Sequence, residues 1–121
     1  MIKIEYICHA SLLINLNGIR ILTDPWIKGS CFANCLWIYP PPKKSAKEIG
    51  KVDYIYLSHG HEDHFQLESI NEIIKKNKKT KIIIPKSKND WFERTVKKLG
   101  FENTISLRHN EKLDLGRYNS V

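Results

Sequence analysis

Several protein classes are excluded by what this 121-residue sequence lacks. It has three cysteines, Cys8, Cys31 and Cys35, so at least one thiol is left over and no disulfide framework is possible. A reducing cytoplasm is the expected compartment. No apolar run reaches membrane-spanning length. Met1 to Tyr6 is not a basic region followed by a long apolar stretch, so no secretory leader is expected. Acidic residues are scarce, 13 against 20 Lys and Arg, for a formal charge of +7. Between Lys75 and Lys98 ten basic residues face two acidic ones, Asp90 and Glu93. Such a field attracts phosphates or anionic surfaces. No aromatic-interleaved basic motif accompanies it, so nucleic acid is not the expected partner, and a solvated face of two helices accounts for the charge. Internal repeats and low-complexity tracts are also absent. An apolar content of 41% supports one modest packed domain, residues 1–121.

Hydrophobic patterning places the elements. Ile2, Ile4 and Tyr6 alternate with polar neighbours and predict a first strand. Ser11–Leu16 and Ile19–Thr23 predict two more, joined by the hairpin signal Asn17-Gly18. Asp24-Pro25 ends the third. Residues 26–51 read as a long irregular loop with Pro40-Pro41-Pro42, in which Trp26, Phe32, Trp37 and Tyr39 form an apolar wall, and Ser45–Ile49 form one short turn. Val52–Leu57 predicts a strand covered on both faces. Phe65–Lys76 predicts a helix with Leu67, Ile70, Ile73 and Ile74 on one side. Lys81–Ile84 is the next strand. A helix over Lys88–Leu99 follows, with Ser87 and Asp90 in a capping arrangement, Phe92, Val96 and Leu99 inward, and Gly100 at its end. Phe101–Leu107 and Glu111–Leu115 predict strands, and Arg117–Val121 shows no pattern. The whole predicts an α+β chain with a mixed sheet.

The run Ser58-His59-Gly60-His61-Glu62-Asp63-His64 follows the buried strand Val52–Leu57. It carries three imidazoles and a carboxylate on a tight bend. Gly60 lets the bend turn His59 and His61 toward one ion, and a helix start folds Asp63 and His64 toward a second. Imidazole with carboxylate suits zinc, or manganese or iron. Up to two such ions would polarise a phosphoryl or carbonyl oxygen and activate water. Glu62 reads as a partner of these ligands, as a nearby acid or as a solvent-facing residue.

This run resembles the signature of the metallo-beta-lactamase superfamily of metal-dependent hydrolases. The resemblance implies that His59 and His61 hold a first metal and that Asp63 and His64 hold a second. It implies a four-layer αββα sandwich of which this chain is the N-terminal half, a mixed sheet with helices on one face. Cys8-His9-Ala10-Ser11-Leu12-Leu13-Ile14 and Gly18 through Trp26 resemble the branch of ascorbate-phosphate lactonases and N-acyl-phosphatidylethanolamine phospholipase D. Gly29, Phe32, Trp37 and Pro40–Pro42 resemble more loosely the hydrolase-fold part of CMP-N-acetylneuraminate hydroxylase. On this resemblance His9 lies near the metal and binds substrate or orients a metal-bound group, so that His9 and Asp63 are the candidate catalytic residues. Asp24 is expected behind the ligands, accepting a hydrogen bond from the far nitrogen of a ligating histidine, or else capping its own turn. Cys8 is expected to pack, Cys31 and Cys35 to fill the core or the loop, and His109 is not a candidate ligand.

The remaining family ligands, a His, a bridging Asp and a last His, have no match after His64. The chain is therefore expected to be truncated or partial, its open sheet face covered by a complementing second half or by another copy of itself. The expected activity is hydrolysis of a phosphoester or lactone of a small anionic substrate, a property of the family that is left open for these residues alone. The alternatives are a degenerate metal-binding domain, part of a nucleotide-sugar hydroxylase-like protein, and a nuclease or nucleic-acid binder.

Overall fold

The computed structural model describes residues 1–116; the expectation for Arg117–Val121 lies outside the described residues. Eight strands form: β1 (Ile2–Cys8), β2 (Ser11–Leu16), β3 (Ile19–Thr23), β4 (Ser30–Cys31), β5 (Leu36–Trp37), β6 (Tyr54–Tyr56), β7 (Lys81–Pro85) and β8 (Thr104–Leu107). Three α-helices join them among the described residues: α1 (Ala46–Ile49), α2 (Leu67–Ile74) and α3 (Trp91–Lys98). The main sheet has six strands in the order β1-β2-β3-β6-β7-β8. The β1, β2 and β3 ladders are antiparallel, and β3, β6, β7 and β8 run parallel. Asn17 and Gly18 both have positive φ, 51° and 96°, as the turn between β2 and β3 requires.

Register sorts the side chains into two faces. Leu13, Leu22, Ile55, Ile82 and Ile84 pack against Ile70 and Ile73 of α2 and Phe92 and Val96 of α3, and this is the core. The opposite face carries Ile4, Ile14, Ile21 and Tyr54 in one cross-strand row and Tyr56, Ile83 and Ile105 in the next. Among the described residues no helix packs on that second face: Ile2, Ile4, Tyr6 and Tyr56 are exposed. Helices on one side of an apolar mixed sheet make half of an αββα sandwich. No helix among the described residues is long and apolar enough to cross a membrane.

The structure departs from the sequence reading in several places. Glu111–Leu115 is not a strand. Glu111 instead closes a turn, its carboxylate accepting the Arg108 N–H at 2.7 Å while its own N–H reaches the Arg108 carbonyl at 3.0 Å. The helix expected over Lys88–Leu99 is broken. Asn89 and Asp90 are left-handed (φ 57° and 54°) within a 3₁₀ turn, and α3 begins at Trp91. Ser87 Oγ accepts the Phe92 N–H at 2.9 Å, and Asp90 pairs with Lys86 at 2.8 Å rather than completing a capping box. The capping box belongs to Ser45 and Glu48, at the start of α1. Residues 26–51 also contain the β4–β5 hairpin. Leu67 and Leu99, expected inward, are exposed.

Candidate metal centre

Three chain segments meet at the end of the parallel strands. β6 stops at Tyr56, and the chain then bends, with His64 N–H and Phe65 N–H both donating to the His61 carbonyl, at 2.9 and 2.8 Å. That turn folds Asp63 and His64 back beside His59. Gln66 caps α2, its side-chain carbonyl accepting the Ser69 N–H at 2.8 Å, which fixes where the bend ends. The second segment is the β1–β2 turn, where His9 holds φ 48°. The third is the end of β3, where Asp24 holds φ 35°. Non-glycine residues in the left-handed region are uncommon, and such strain concentrates at functional sites. The Asp24 backbone is held there by its N–H to the Tyr56 carbonyl at 2.8 Å and by Ser11 Oγ donating to its carbonyl at 2.8 Å.

The side chains converge. His9 Nε2 lies 2.9 Å from Asp63 Oδ2, and His64 Nε2 lies 3.5 Å from the same oxygen. Among the described residues His9, Asp63 and His64 form the group whose ligand atoms all lie within 4.8 Å of one another. The His59 ring centroid is 4.1 Å from that of His64 and 4.7 Å from that of His61. His59 and His61 thus stand as a neighbouring pair beside the triplet. A set of imidazoles and one carboxylate fits zinc, manganese or iron. Burial acts most strongly on Asp63 and opposes its charge. The hydrogen bond with His9 and the field of His64 together outweigh it, and the carboxyl titrates below its ordinary 3.8.

Behind the His9–Asp63–His64 group lies Asp24, buried, whose carboxylate accepts three hydrogen bonds. Oδ1 takes the Ser58 N–H at 2.7 Å, and Oδ2 takes the Ser58 hydroxyl at 2.7 Å and His64 Nδ1 at 3.0 Å. Ser58 Oγ also lies 2.8 Å from His59 Nδ1. Ser58 stands in the motif, but the sequence reading gave it no role; a hydroxyl directly before the first histidine was the available signal. Glu62 is neither bare to solvent nor among the converging ligands. Its carboxylate accepts the Phe32 N–H, at 2.8 and 3.1 Å, and ties the loop of residues 26–51 to the metal motif.

The other candidates lie apart. Cys8 and Cys31 are buried and Cys35 is exposed, so Cys35 does not pack in the core. Cys8 Sγ donates to the Trp26 carbonyl at 3.0 Å. Burial, then the charges of Glu62 and Asp63, push the Cys31 thiol up to about 11. His109 is exposed and outside the cluster.

Residues 3–120 match the family model of the beta-lactamase superfamily domain. A candidate Rieske 2Fe-2S iron–sulfur protein of Mycolicibacterium smegmatis is 34% identical over 114 residues, 88% of this chain and 21% of that protein. Cytidine monophosphate-N-acetylneuraminic acid hydroxylase of Danio rerio is 33% identical over 76 residues, 62% of this chain and 13% of that protein. The chain therefore spans about a fifth or less of the length of these curated relatives. Among solved structures, the metallo hydrolase Igni18 of Ignicoccus hospitalis superposes with TM-score 0.69 at 21% identity, over 94% of this chain and 42% of that one. CmlA, a diiron β-hydroxylase from Streptomyces venezuelae, superposes with TM-score 0.68 at 21% identity, over 93% of this chain and 22% of that one. By its fold, its motif and these matches, the chain belongs to the metallo-beta-lactamase superfamily, in a branch that matches CMP-N-acetylneuraminic acid hydroxylase homologues.

Proposed function

We propose that this chain carries the metal-holding part of a metal-dependent hydrolase that acts on a phosphoester or lactone of a small anionic substrate. The observation that carries this reading is the convergence of His9, Asp63 and His64, with Asp24 bonded behind His64. His59, His61, Asp63 and His64 would hold up to two ions, zinc first and manganese or iron as alternatives. Bound there, the metal supplies Lewis acidity toward a phosphoryl or carbonyl oxygen and a water of lowered pKa. The chain's own residues orient and hold. Asp24 accepts the hydrogen bond of the His64 Nδ1–H and leaves Nε2 directed at Asp63. His9, with about a third of its side chain exposed, holds Asp63 through Nε2 and presents its ring to an incoming substrate. Further ligands are proposed to come from outside these residues.

A second reading, part of a nucleotide-sugar hydroxylase-like protein, is favoured by the similarity to the Danio rerio hydroxylase. Metal content per chain, measured for the parent and for His61→Ala and Asp63→Ala, tests both. Stoichiometric metal that is lost in the two variants, together with turnover of bis(p-nitrophenyl) phosphate or a simple lactone, supports the hydrolase. The same metal without hydrolysis favours the hydroxylase-like or a degenerate domain. Equal metal content in parent and variants overturns the site.

A further inference from the structure

A cavity of about 270 Å³ is lined by His9 but not by Asp63. Its floor is Trp26, buried, whose ring meets His9 edge-on at 5.2 Å. Its walls are Tyr6 of β1 and Trp37 and Tyr39 of the long loop, which are 52%, 63% and 92% exposed. Scattered exposed aromatics need no explanation. Three around one concavity, beside the His9–Asp63–His64 group, are the kind of lining a ligand site presents.

The wall is built, not loose. Trp37 Nε1 donates to the Asn34 carbonyl at 2.9 Å, and β5 pairs with β4. Glu62 anchors the hairpin to the metal motif through Phe32, and the Lys43 N–H anchors the far end of the loop to the Ile7 carbonyl at 3.2 Å. Lys43 is the one side chain lining the cavity with a permanent charge, and no carboxylate lines it. The aromatic walls suit a planar ring, and the Lys43 ammonium, with no acid to offset it, favours a neutral or anionic group. An apolar cavity of about 150 Å³ suffices for benzene, so this one has room for a fused two-ring group.

Resting on the hydrolase reading above, we propose that this cavity is the subsite for a planar aromatic group of the substrate. The bond to be cleaved then lies across His9, which belongs both to the cavity and to the ligand cluster.

The test uses 1-naphthyl phosphate and its two parts, 1-naphthol and inorganic phosphate, titrated calorimetrically with and without zinc. The Trp37 indole N–H is followed by ¹⁵N NMR. Trp37→Ala and Tyr39→Ala alter exposed side chains and leave the core intact. The expected result is that 1-naphthol binds with or without zinc and shifts the Trp37 resonance, and that each variant weakens it about tenfold. Zinc tightens 1-naphthyl phosphate, and His64→Ala removes that gain while leaving 1-naphthol binding in place. If phosphate binds in a zinc-dependent way but the naphthyl group adds nothing, or the two variants change nothing, the subsite is overturned and the metal reading stands. If 1-naphthol binding depends on Trp37 but zinc has no effect on any probe, the metal reading fails and the cavity survives as a binding site.

Discussion

One buried carboxylate, Asp24, sets the proton positions of two imidazoles. A carboxylate only accepts, so the Ser58 hydroxyl proton points to Asp24 Oδ2, and the proton between Ser58 Oγ and His59 must sit on His59 Nδ1. His64 Nδ1 is a donor to the same oxygen by the same reasoning. In the neutral ring this tautomer leaves both histidines a bare Nε2, the form a metal needs. Asp24→Asn puts an amide N–H₂ where donors already point, so it is expected to weaken zinc affinity about 10–100-fold and to destabilise the fold by about 1–3 kcal/mol. Chelator competition and urea unfolding measure the two effects. Ser58→Ala breaks the branch to His59 alone, and ¹⁵N shifts of the metal-free protein report it: Nδ1 of His59 found unprotonated in the parent would end the relay. The thiols give a second test at this scale. Burial raises the Cys8 thiol, the Cys31 thiol is pushed up to about 11, and Cys35 is exposed. Iodoacetamide at about pH 8 is therefore expected to mark Cys35 alone in the native state, read by mass spectrometry, because the thiolate is the nucleophile. Rapid labelling of Cys31 would contradict its placement.

At the scale of elements, local signals and long-range ones parted company. The β2–β3 hairpin was legible because Asn17-Gly18 fits a turn with two positive φ values, and α2 because Ile70 and Ile73 recur on one side. Ser58 to His64 was legible because ligand-type residues crowd one bend. The β4–β5 hairpin was not, since each strand is two residues and its hold comes from Glu62, thirty positions from Phe32. The left-handed pair Asn89-Asp90 was hidden because both residue types also serve as helix caps. Tertiary partners decided such cases, and Glu93 shows how. It joins α3 to β8, accepting the Ser106 hydroxyl at 2.8 Å and pairing with Lys97 at 3.1 Å. The Ser106 bond, then Lys97, lower its pKa against a smaller effect of burial. A lowered native pKa stabilises the fold above the unfolded value near 4.5, and the gain is lost as pH falls through the native value. Glu93→Gln is thus expected to melt below the parent at neutral pH, modestly because the group is near solvent, and the two melting curves are expected to converge as pH falls through the lowered native value. A gap that widened in acid would refute the assignment.

At the scale of the molecule, the sheet has one finished face and one unfinished. The core face is closed by α2 and α3, while the other carries Ile4, Ile14 and Ile21 in one row and Tyr56, Ile83 and Ile105 in the next, from the edge strand β1 to β8. An uncovered apolar sheet of this kind was foreseeable from the sequence, because strands such as Lys81–Ile84 offer apolar residues to both sides. What covers it, a complementing second half or another copy, was expected only through the family resemblance, since a covering layer is a long-range property that no local pattern encodes. Contiguous apolar surface drives association, and an edge strand adds unpaired backbone groups to it. Residues 1–121 produced alone are therefore expected to bind an environment-sensitive dye such as anilinonaphthalene sulfonate and to self-associate in sedimentation velocity. Ile4 is 62% exposed on that face, so Ile4→Lys gives up little burial and plants a charge on the edge strand. The substitution is expected to lower dye binding and association severalfold while zinc content per chain stays at the parent value. A parent chain that sediments as one small species with no dye signal would show that this face needs no cover. A variant that also lost its metal would show that the face and the site are not independent.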